Sequence, residues 1–451
     1  MNSYLKYTLS YFLTLLLLVG CNDSLPVVTD DPTAGEKAKR TVLVYMVAEN
    51  SLSNSTDGDV QELAYAANRG DIADGYNILV YKDNATMPSI TLYNKLGTTT
   101  WKTWSKERDS ADSTVMLSTL QYMMENYPSE HYALVLWSHG SGWGPRKATI
   151  DEETERRTSS ARSQARAFGV DNGKNSMTVN GDYGMNVSSV KWVLEQLGTH
   201  MDYIMWDACL MQGVETAYEL RKHTDWIIGS PTETPGLGAP YHTIAKALCE
   251  ADMPAILDAY SQYYDNSTVY QRMFPLSIIK TSELEALARA TAPHVKNHFA
   301  DSENMPAITG TAQVYSPRRF VYVSSNYSTA EVGSPIAYDM GSIMAGILTE
   351  EEYTAWRAVL DKAVPYKTMP TESWLTSFAP GIYGTEHCTM TDATHYSGIS
   401  MNVPQDNYDI YPVDSEHIIL LWWNVYFRTF DWWKAAGWNE TYWANDPEYV
   451  I

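Results

Sequence analysis

The sequence predicts an α/β domain: a mainly parallel sheet with helices on both faces, followed by a mostly helical C-terminal subdomain. Three observations predict it. Apolar, β-branched runs recur along the first part of the chain without the alternation of a half-exposed strand, as in strands buried on both faces. Between them lie segments whose apolar residues repeat at helical spacing. The two kinds alternate, which is the signature of βαβ units.

Taken in order, "TVLVYMVA" (41–48) is the first buried strand, and "DVQELAYAAN" is a helix with Val60, Leu63 and Ala64 on one side. "YNILVYK" (76–82) is the second strand. "STVMLSTLQYMMENY" is a long amphipathic helix, with Met116, Leu117, Leu120 and Met123 along its apolar stripe. "YALVLWS" (132–138) is the third strand, "SSVKWVLEQL" a helix, and "DYIMWD" (202–207) the fourth strand. "GVETAYELRK" is a helix, "DWIIGS" (225–230) the fifth strand and "FPLSIIK" (274–280) the sixth. Residues 144–181 interrupt this rhythm. "GPRKATIDEETERRTSSARSQARAFG" is polar and lacks an apolar face, so it predicts an exposed insertion. Beyond residue 282 the pattern turns more helical, with a late strand at "YSGISMNV" and an aromatic helix at "HIILLWWNVYFRTFDWW". Trp422, Tyr426, Phe430 and Trp433 recur there at helical spacing, as in a core-facing stripe. The organisation expected is therefore 1–21 leader, 22–39 tether, 40–281 main domain and 282–451 C-terminal subdomain.

The 451 residues carry a formal charge of −22, which excludes nucleic acid as a partner because phosphate binding needs a basic track. The leader "MNSYLKYTLSYFLTLLLLVGC" has a lysine and then an apolar run too short to span a bilayer. It ends in Leu18, Val19, Gly20 and Cys21, the form of a bacterial lipobox, in which Cys21 is lipidated and becomes the first mature residue. The alternative is a plain signal peptide with an incidental cysteine. Either implies export, and the lipobox implies a lipid anchor in the cell envelope. "NDSLPVVTDDPTAGEKAKR" reads as a flexible tether. With Cys21 lipidated, Cys209, Cys249 and Cys388 remain, so at least one thiol is free. No pair has zinc-ligand spacing, and no metal ligand is assigned.

Ligands of parallel sheets bind beyond the carboxyl ends of the strands. Three tips qualify: Glu49 and Asn50, Ser138 and His139, and Asp207 to Cys209. A cysteine attacks as thiolate, and a neighbouring histidine or helix start favours that form. The helix after "MQ" places such a start near Cys209. The amides of Gly140 and Cys209 are candidates for an oxyanion hole. A lone cysteine at a strand end is ordinarily a small buried hydrophobe, and a lone histidine a hydrogen-bonded surface group. Their pairing at one sheet edge carries the weight. The competing class is a non-catalytic surface lipoprotein that binds peptide or glycan through its 15 Trp and 32 Tyr.

"TVLVYMVAENSL", "YALVLWSHGSGW", "FGVDN", "DYIMWDACLMQGVETAYEL" and "GSPTETPGLGAPY" together resemble the clostripain family of cysteine peptidases, in the caspase-like clan. The resemblance covers roughly residues 40–280, with "GISMNVP" similar to a late strand of the family. It implies a caspase-like sheet and a His–Cys dyad, here His139 and Cys209. It also implies cleavage after Arg or Lys, with Asp207 in the specificity pocket and Thr234 beside it. Members often cut themselves between the histidine and cysteine strands. In this chain that interval holds Arg146, Lys147, Arg156, Arg157, Arg162 and Arg166. The substrates implied are proteins or peptides with basic residues; oligomeric state is open. No cofactor is required for such chemistry. Some members use calcium, but no EF-hand pattern assigns ligands for it here. The long insertion and Gln212, where a smaller residue is more typical, depart from the family pattern.

Overall fold

The structure is a computed structural model that describes residues 37–143, 168–173, 184–265, 274–301, 337–370, 374–376, 386–388, 393–404 and 426–445. Cys21, Trp422 and the six basic residues of the insertion lie outside them. The described residues belong to one compact unit, Glu36–Ile451. Among them, no helix is long and apolar enough to cross a membrane.

Five parallel strands form the centre of the sheet. They are β1 (Ala38–Val47), β2 (Tyr76–Asp83), β5 (Ser129–Trp137), β6 (Met201–Asp207) and β7 (Thr224–Gly229). Antiparallel strands extend both sides: β3 (Ser89–Asn94) and β4 (Gly97–Thr103) beyond β2, and β8 (Ser277–Lys280) and β10 (Tyr366–Lys367) beyond β7. The order is β10-β8-β7-β6-β5-β1-β2-β3-β4. Two small pairs complete the strands: β9 (Ala337–Asp339) with β13 (Ser400–Asn402), and β11 (Trp374–Thr376) with β12 (Glu386–Cys388).

The apolar runs are buried on both faces because side chains alternate across a strand. On β1, Leu43, Tyr45 and Val47 join one core while Val42, Val44 and Met46 join the other. The first core is covered by α2 (Ser113–Asn126), α3 (Val187–Leu197) and α4 (Val214–Leu220). The second is covered by α1 (Ser55–Arg69), α5 (Tyr241–Glu250) and α6 (Met253–Asp265). Each fully buried Leu or Val contributes about 1.5–3 kcal/mol. The order in which the chain adds strands reverses between the parallel neighbours β1 and β5, the switch point at whose carboxyl ends ligands of such sheets bind.

The region beyond residue 281 adds β10 to the sheet edge and packs α7 (Leu284–His298), α8 (Met340–Ile347) and α9 (Glu350–Ala363) into the first core. It also supplies aromatic side chains. Tyr426, Phe430, Trp432, Trp433 and Trp438 are all buried, so they are not an exposed glycan platform. The expected continuous helix is broken within its described part: the chain turns at 428–430 and restarts as α10 (Asp431–Ala435). Phe430 is extended, and the Asp431 N–H donates to Glu219 Oε1 of α4. That bond anchors a new helix start instead of continuing the old helix.

Strands β3 and β4 were not anticipated. Their burial alternates or is slight, and Thr98 to Thr100 face solvent. Edge strands of this kind lack the continuous apolar run that marks the centre. The predicted exposed insertion also needs correcting at its described end. Phe168, Val170 and Asp171 are buried, and the Phe168 ring packs edge-on against Trp206.

Candidate active site

Two adjacent strand tips build the site. Trp137 and Asp207 are register partners at the ends of β5 and β6. His139 and Cys209 each follow two residues later, so they leave the sheet side by side. The Ser138 N–H donates to Asp207 O at 3.3 Å, which links the tips directly. Ser138 Oγ donates to Val47 O at 2.6 Å and accepts from Val170 N at 3.2 Å. Ser138 therefore ties three segments together: β1, β5 and the stretch 168–173.

Gly140 is where the two tips touch. A Cβ there would meet Cys209 O at 2.4 Å, with Ala208 Cβ and Met211 Cγ at 3.0 Å. Only glycine allows this approach. Among the described residues, neither the Gly140 nor the Cys209 N–H donates to a backbone acceptor. After Cys209 the chain turns through Leu210, a non-glycine residue at φ 64°, whose N–H donates to Thr232 O at 2.8 Å. A left-handed leucine costs about 1–2 kcal/mol and is characteristic of a constrained functional turn.

His139 is half-buried, and its Nε2 lies 2.9 Å from Ser51 Oγ. Its carbonyl accepts from Gly169 N at 3.1 Å. Ser51 was not singled out from the sequence, although it lies in the quoted segment after β1. Cys209 is half-buried, and its sulfur accepts from Thr234 N at 3.4 Å and lies 3.5 Å from Thr234 Oγ1. Burial pushes its thiol up to about 11, and Glu233 adds to the rise. Helix α4 begins at Val214, five residues beyond Cys209. Cys249 is buried in the second core, away from solvent.

Asp207 is 4% exposed. Its Oδ2 accepts from Ala239 N at 3.1 Å and from Tyr241 OH at 2.9 Å. Gly238, at φ 66°, brings backbone against the same carboxylate, where a Cβ would lie 3.1 Å from Oδ2. Burial raises Asp207 to about 6 despite these donors. Asp59 of α1 is buried nearby and accepts from Trp137 Nε1 at 2.8 Å. Burial and the charge of Asp207 raise it to about 9. Among the described residues, no lysine or arginine forms an ion pair with either carboxylate. The loop 232–241 thus meets both parts of the site, with Thr234 on the Cys209 sulfur and Ala239 and Tyr241 on Asp207. Tyr241 and Asp59 were missed. Neither has a local signal, because both reach Asp207 only through the fold.

Gln212, the departure from the family pattern, is fully buried. Its side-chain Nε2 donates to Ile227 O at 3.3 Å and Ser277 O at 3.0 Å, and its backbone carbonyl accepts from Ser400 N at 3.0 Å. A smaller residue would lose the two side-chain bonds, so the length of Gln212 joins β7 and β8. Glu215 accepts from Asn402 N at 2.7 Å and from the Trp143 indole, which fixes the end of the histidine loop.

A further cluster lies at the tip of β1. Glu49, Glu107 and Asp171 each bring a carboxylate oxygen within 4.8 Å of the others. Burial and then Asp171 raise Glu49 to about 8, and burial raises Asp171 to about 6. The sequence offered no motif for this group, since its members lie 49, 107 and 171 residues along the chain.

The family profile described as the clostripain family matches residues 44–443. No curated protein matches the chain. Among solved structures, a secreted C11 cysteine protease from Bacteroides thetaiotaomicron, in complex with an irreversible peptide inhibitor, is 26% identical with a TM-score of 0.67. The match covers 89% of this chain and 100% of that one. An inactive zymogen C11 protease from Parabacteroides distasonis is 26% identical with a TM-score of 0.63, covering 89% and 98%. The chain belongs to the clostripain family and is a cysteine peptidase.

Proposed function

We propose that the chain is an endopeptidase that cleaves after Arg or Lys through a His139–Cys209 dyad. One observation carries this reading: both side chains stand two residues beyond Trp137 and Asp207, partners in one register of adjacent parallel strands. Cys209 Sγ attacks the scissile carbonyl carbon and its proton passes to His139. The Gly140 and Cys209 N–H groups stabilise the oxyanion. The carbon–nitrogen bond breaks as His139 protonates the leaving amine, which leaves a thioester. Water, deprotonated by His139, then hydrolyses the thioester, and the proton returns to sulfur.

Asp207 selects the substrate in this reading. It is a buried carboxylate held by two donors, and a substrate guanidinium would supply its charge partner. The planar fork of arginine suits bidentate pairing better than the ammonium of lysine.

Self-cleavage after one of Arg146, Lys147, Arg156, Arg157, Arg162 or Arg166 fits the same specificity. Within the insertion but beyond all six basic residues, the stretch 168–173 is anchored by Gly169 N on His139 O and by Asn172 N on Glu49 O, each 3.1 Å. A cut upstream would leave that anchor in place. Lipidation at Cys21, with 22–39 as tether, would hold the enzyme at the cell envelope. The word "secreted" in the name of the Bacteroides neighbour supports export.

The test uses protein lacking residues 1–21, as wild type and as Cys209→Ala. Fluorogenic peptides ending in Arg, Lys or Ala are compared, and each protein is run on a denaturing gel. Hydrolysis after Arg or Lys, lost in Cys209→Ala, supports the dyad. Two fragments in wild type alone support self-cleavage. Hydrolysis after Ala at the same rate would defeat the role of Asp207. Incorporation of labelled palmitate into the full chain, lost in Cys21→Ala, tests the anchor.

A further inference from the structure

We propose that Thr234 is a positioning residue for the nucleophile: its hydroxyl and backbone N–H form a cradle for the sulfur of Cys209 in the thiolate form. The resemblance places Thr234 beside the specificity pocket, but its hydrogen bonds are with the sulfur. Thr234 N donates to Cys209 Sγ at 3.4 Å, and Thr234 Oγ1 lies 3.5 Å from the same atom. Cys209 Sγ in turn donates to Thr234 O at 3.9 Å. Among the described residues, every hydrogen bond of the sulfur is with Thr234, and Thr234 Oγ1 bonds to nothing else.

One residue therefore offers what both forms of the nucleophile need. A thiol is a weak donor, and a sulfur without its proton only accepts. With the proton in place, the S–H bonds to Thr234 O. Once that proton has passed to His139, the sulfur is negative and faces two donors, the Thr234 N–H and hydroxyl. Hydrogen bonds to a charged form favour that form. Burial, Glu233 and Asp207 all push the thiol up, and the two bonds from Thr234 oppose them. No covalent bond changes at Thr234, whose hydroxyl keeps its proton throughout.

The chain on either side holds Thr234 in this place. Leu210 N donates to Thr232 O at 2.8 Å, and Gln212 N to Ser230 O at 3.1 Å. The turn after Cys209 and the segment 230–232 thus run side by side in opposite directions, which leads the chain from Thr232 back past the sulfur. Pro235 comes next, and a residue before proline is pushed toward extended backbone, which limits how the Thr234 carbonyl can turn. Beyond it, Gly238 N donates to Pro235 O at 2.9 Å, and Ala239 N to Asp207 Oδ2 at 3.1 Å. Thr234 therefore lies between one anchor on the nucleophile's own turn and another on Asp207. The contact with the sulfur is independent of what the chain hydrolyses. Its effect on turnover rests on the dyad reading.

The experiment compares wild type, Thr234→Val and Thr234→Ser, each lacking residues 1–21. All are cut with trypsin and freed of it, so that processing is not the variable. Alkylation of Cys209 by iodoacetamide is followed between about pH 7 and 9.5 by peptide mass, which separates it from Cys249 and Cys388. Valine keeps the shape and the N–H but removes the hydroxyl. Loss of a donor to a charged group should lower the thiolate population about tenfold, and the more basic sulfur regains part of this as nucleophilicity. Thr234→Val should therefore react about three- to tenfold more slowly at every pH, with the slope against pH unchanged. Thr234→Ser should return to within about twofold of wild type. On Arg peptides, Thr234→Val should lower kcat about tenfold with KM changed less than about threefold, and serine should restore it. Thr234→Ala takes the place of valine if the unfolding midpoint shows that variant to be unfolded. Alkylation of the valine or alanine variant at the wild-type rate or faster overturns the cradle, as does equal slowing in Thr234→Ser. A raised KM with unchanged kcat would make Thr234 a pocket wall and overturn its positioning role. Slowed alkylation with rescue by serine, in a protein that hydrolyses none of the peptides, would sink the dyad reading and keep the cradle.

Discussion

Gly140→Ala tests the contact on which the site is built. The added Cβ would meet Cys209 O at 2.4 Å, a backbone atom, with Ala208 and Met211 closing the other sides at 3.0 Å. Real Cβ atoms essentially never approach within 3.0 Å, so the tips of β5 and β6 must part by roughly half an ångström or more. Neither tip is free to do so. Ser138 is bonded to Val47, Asp207 and Val170, and Leu210 to Thr232. Overpacking of this kind costs about 1–3 kcal/mol of stability. The catalytic effect should be larger, because a misplacement near 1 Å costs on the order of 100-fold in rate. We expect kcat on an Arg substrate to fall about 100-fold, with KM changed less than threefold, since Asp207 and Tyr241 lie on the other side of Cys209. The variant is cut with trypsin first, so that activation is not the variable, and its unfolding midpoint is measured in parallel. A kcat within threefold of wild type in a folded protein would refute the close packing of the two tips.

Four further outcomes follow from the same geometry. Asp207→Asn keeps partners for Ala239 and Tyr241 but removes the charge; breaking such a buried pair costs about 2–5 kcal/mol, so kcat/KM for Arg peptides should fall about 30- to 5,000-fold, and an unchanged Arg-to-Ala ratio would contradict the pocket assignment. Ser51→Ala removes a hydrogen bond worth about 1 kcal/mol, so kcat should drop about fivefold, and an unshifted pH–rate profile would argue against contact with the titrating His139. Because burial holds the Cys209 thiol near 11, the rate of its alkylation by iodoacetamide should climb tenfold per pH unit between about pH 7 and 9.5, whereas a plateau near pH 7 would mean a thiolate is already present. Burial raises Asp59 to about 9 and Glu215 to about 7, so the folded state binds more protons than the unfolded chain above the ordinary carboxylate range. Stability should then fall as pH rises from about 5 to 9, Asp59→Asn should flatten the alkaline part of that fall in thermal scans, and a stability rising with pH would reverse the sign of this account.

The centre of the sheet was legible because both faces of each strand are buried, which forces the continuous apolar runs of β1, β2, β5, β6 and β7. The edges were not, since Thr98, Thr99 and Thr100 on β4 meet solvent and carry no such constraint. His139, Gly140, Asp207 and Cys209 were legible for a related reason: strand tips in parallel sheets point into one crevice, and reactive residue types stand out there. Thr234 came only through the resemblance. Tyr241, Asp59 and Ser51 were hidden, because each acts on the site through the fold, across the sequence. The aromatic helix failed where a tertiary bond, Asp431 N to Glu219, won over local periodicity.

The strand order gives these acidic residues a common sense. Across the carboxyl end of the sheet, β6, β5, β1 and β2 follow one another. Their tips present Asp207, His139, Glu49 and Asp83, the three carboxylates all buried. The histidine thus stands between two sources of negative field on neighbouring strands. Each must be balanced separately, because each is enclosed by its own set of donors: Ala239 and Tyr241 on the β6 side, Ser110 on the β2 side. In the proposed specificity, a substrate guanidinium would pair with the first while its carbonyl lies at Cys209. The second is balanced within the protein, since burial and Asp171 raise Glu49 to about 8 and its carboxyl keeps a proton at neutral pH. That division follows from where β5 lies in the sheet.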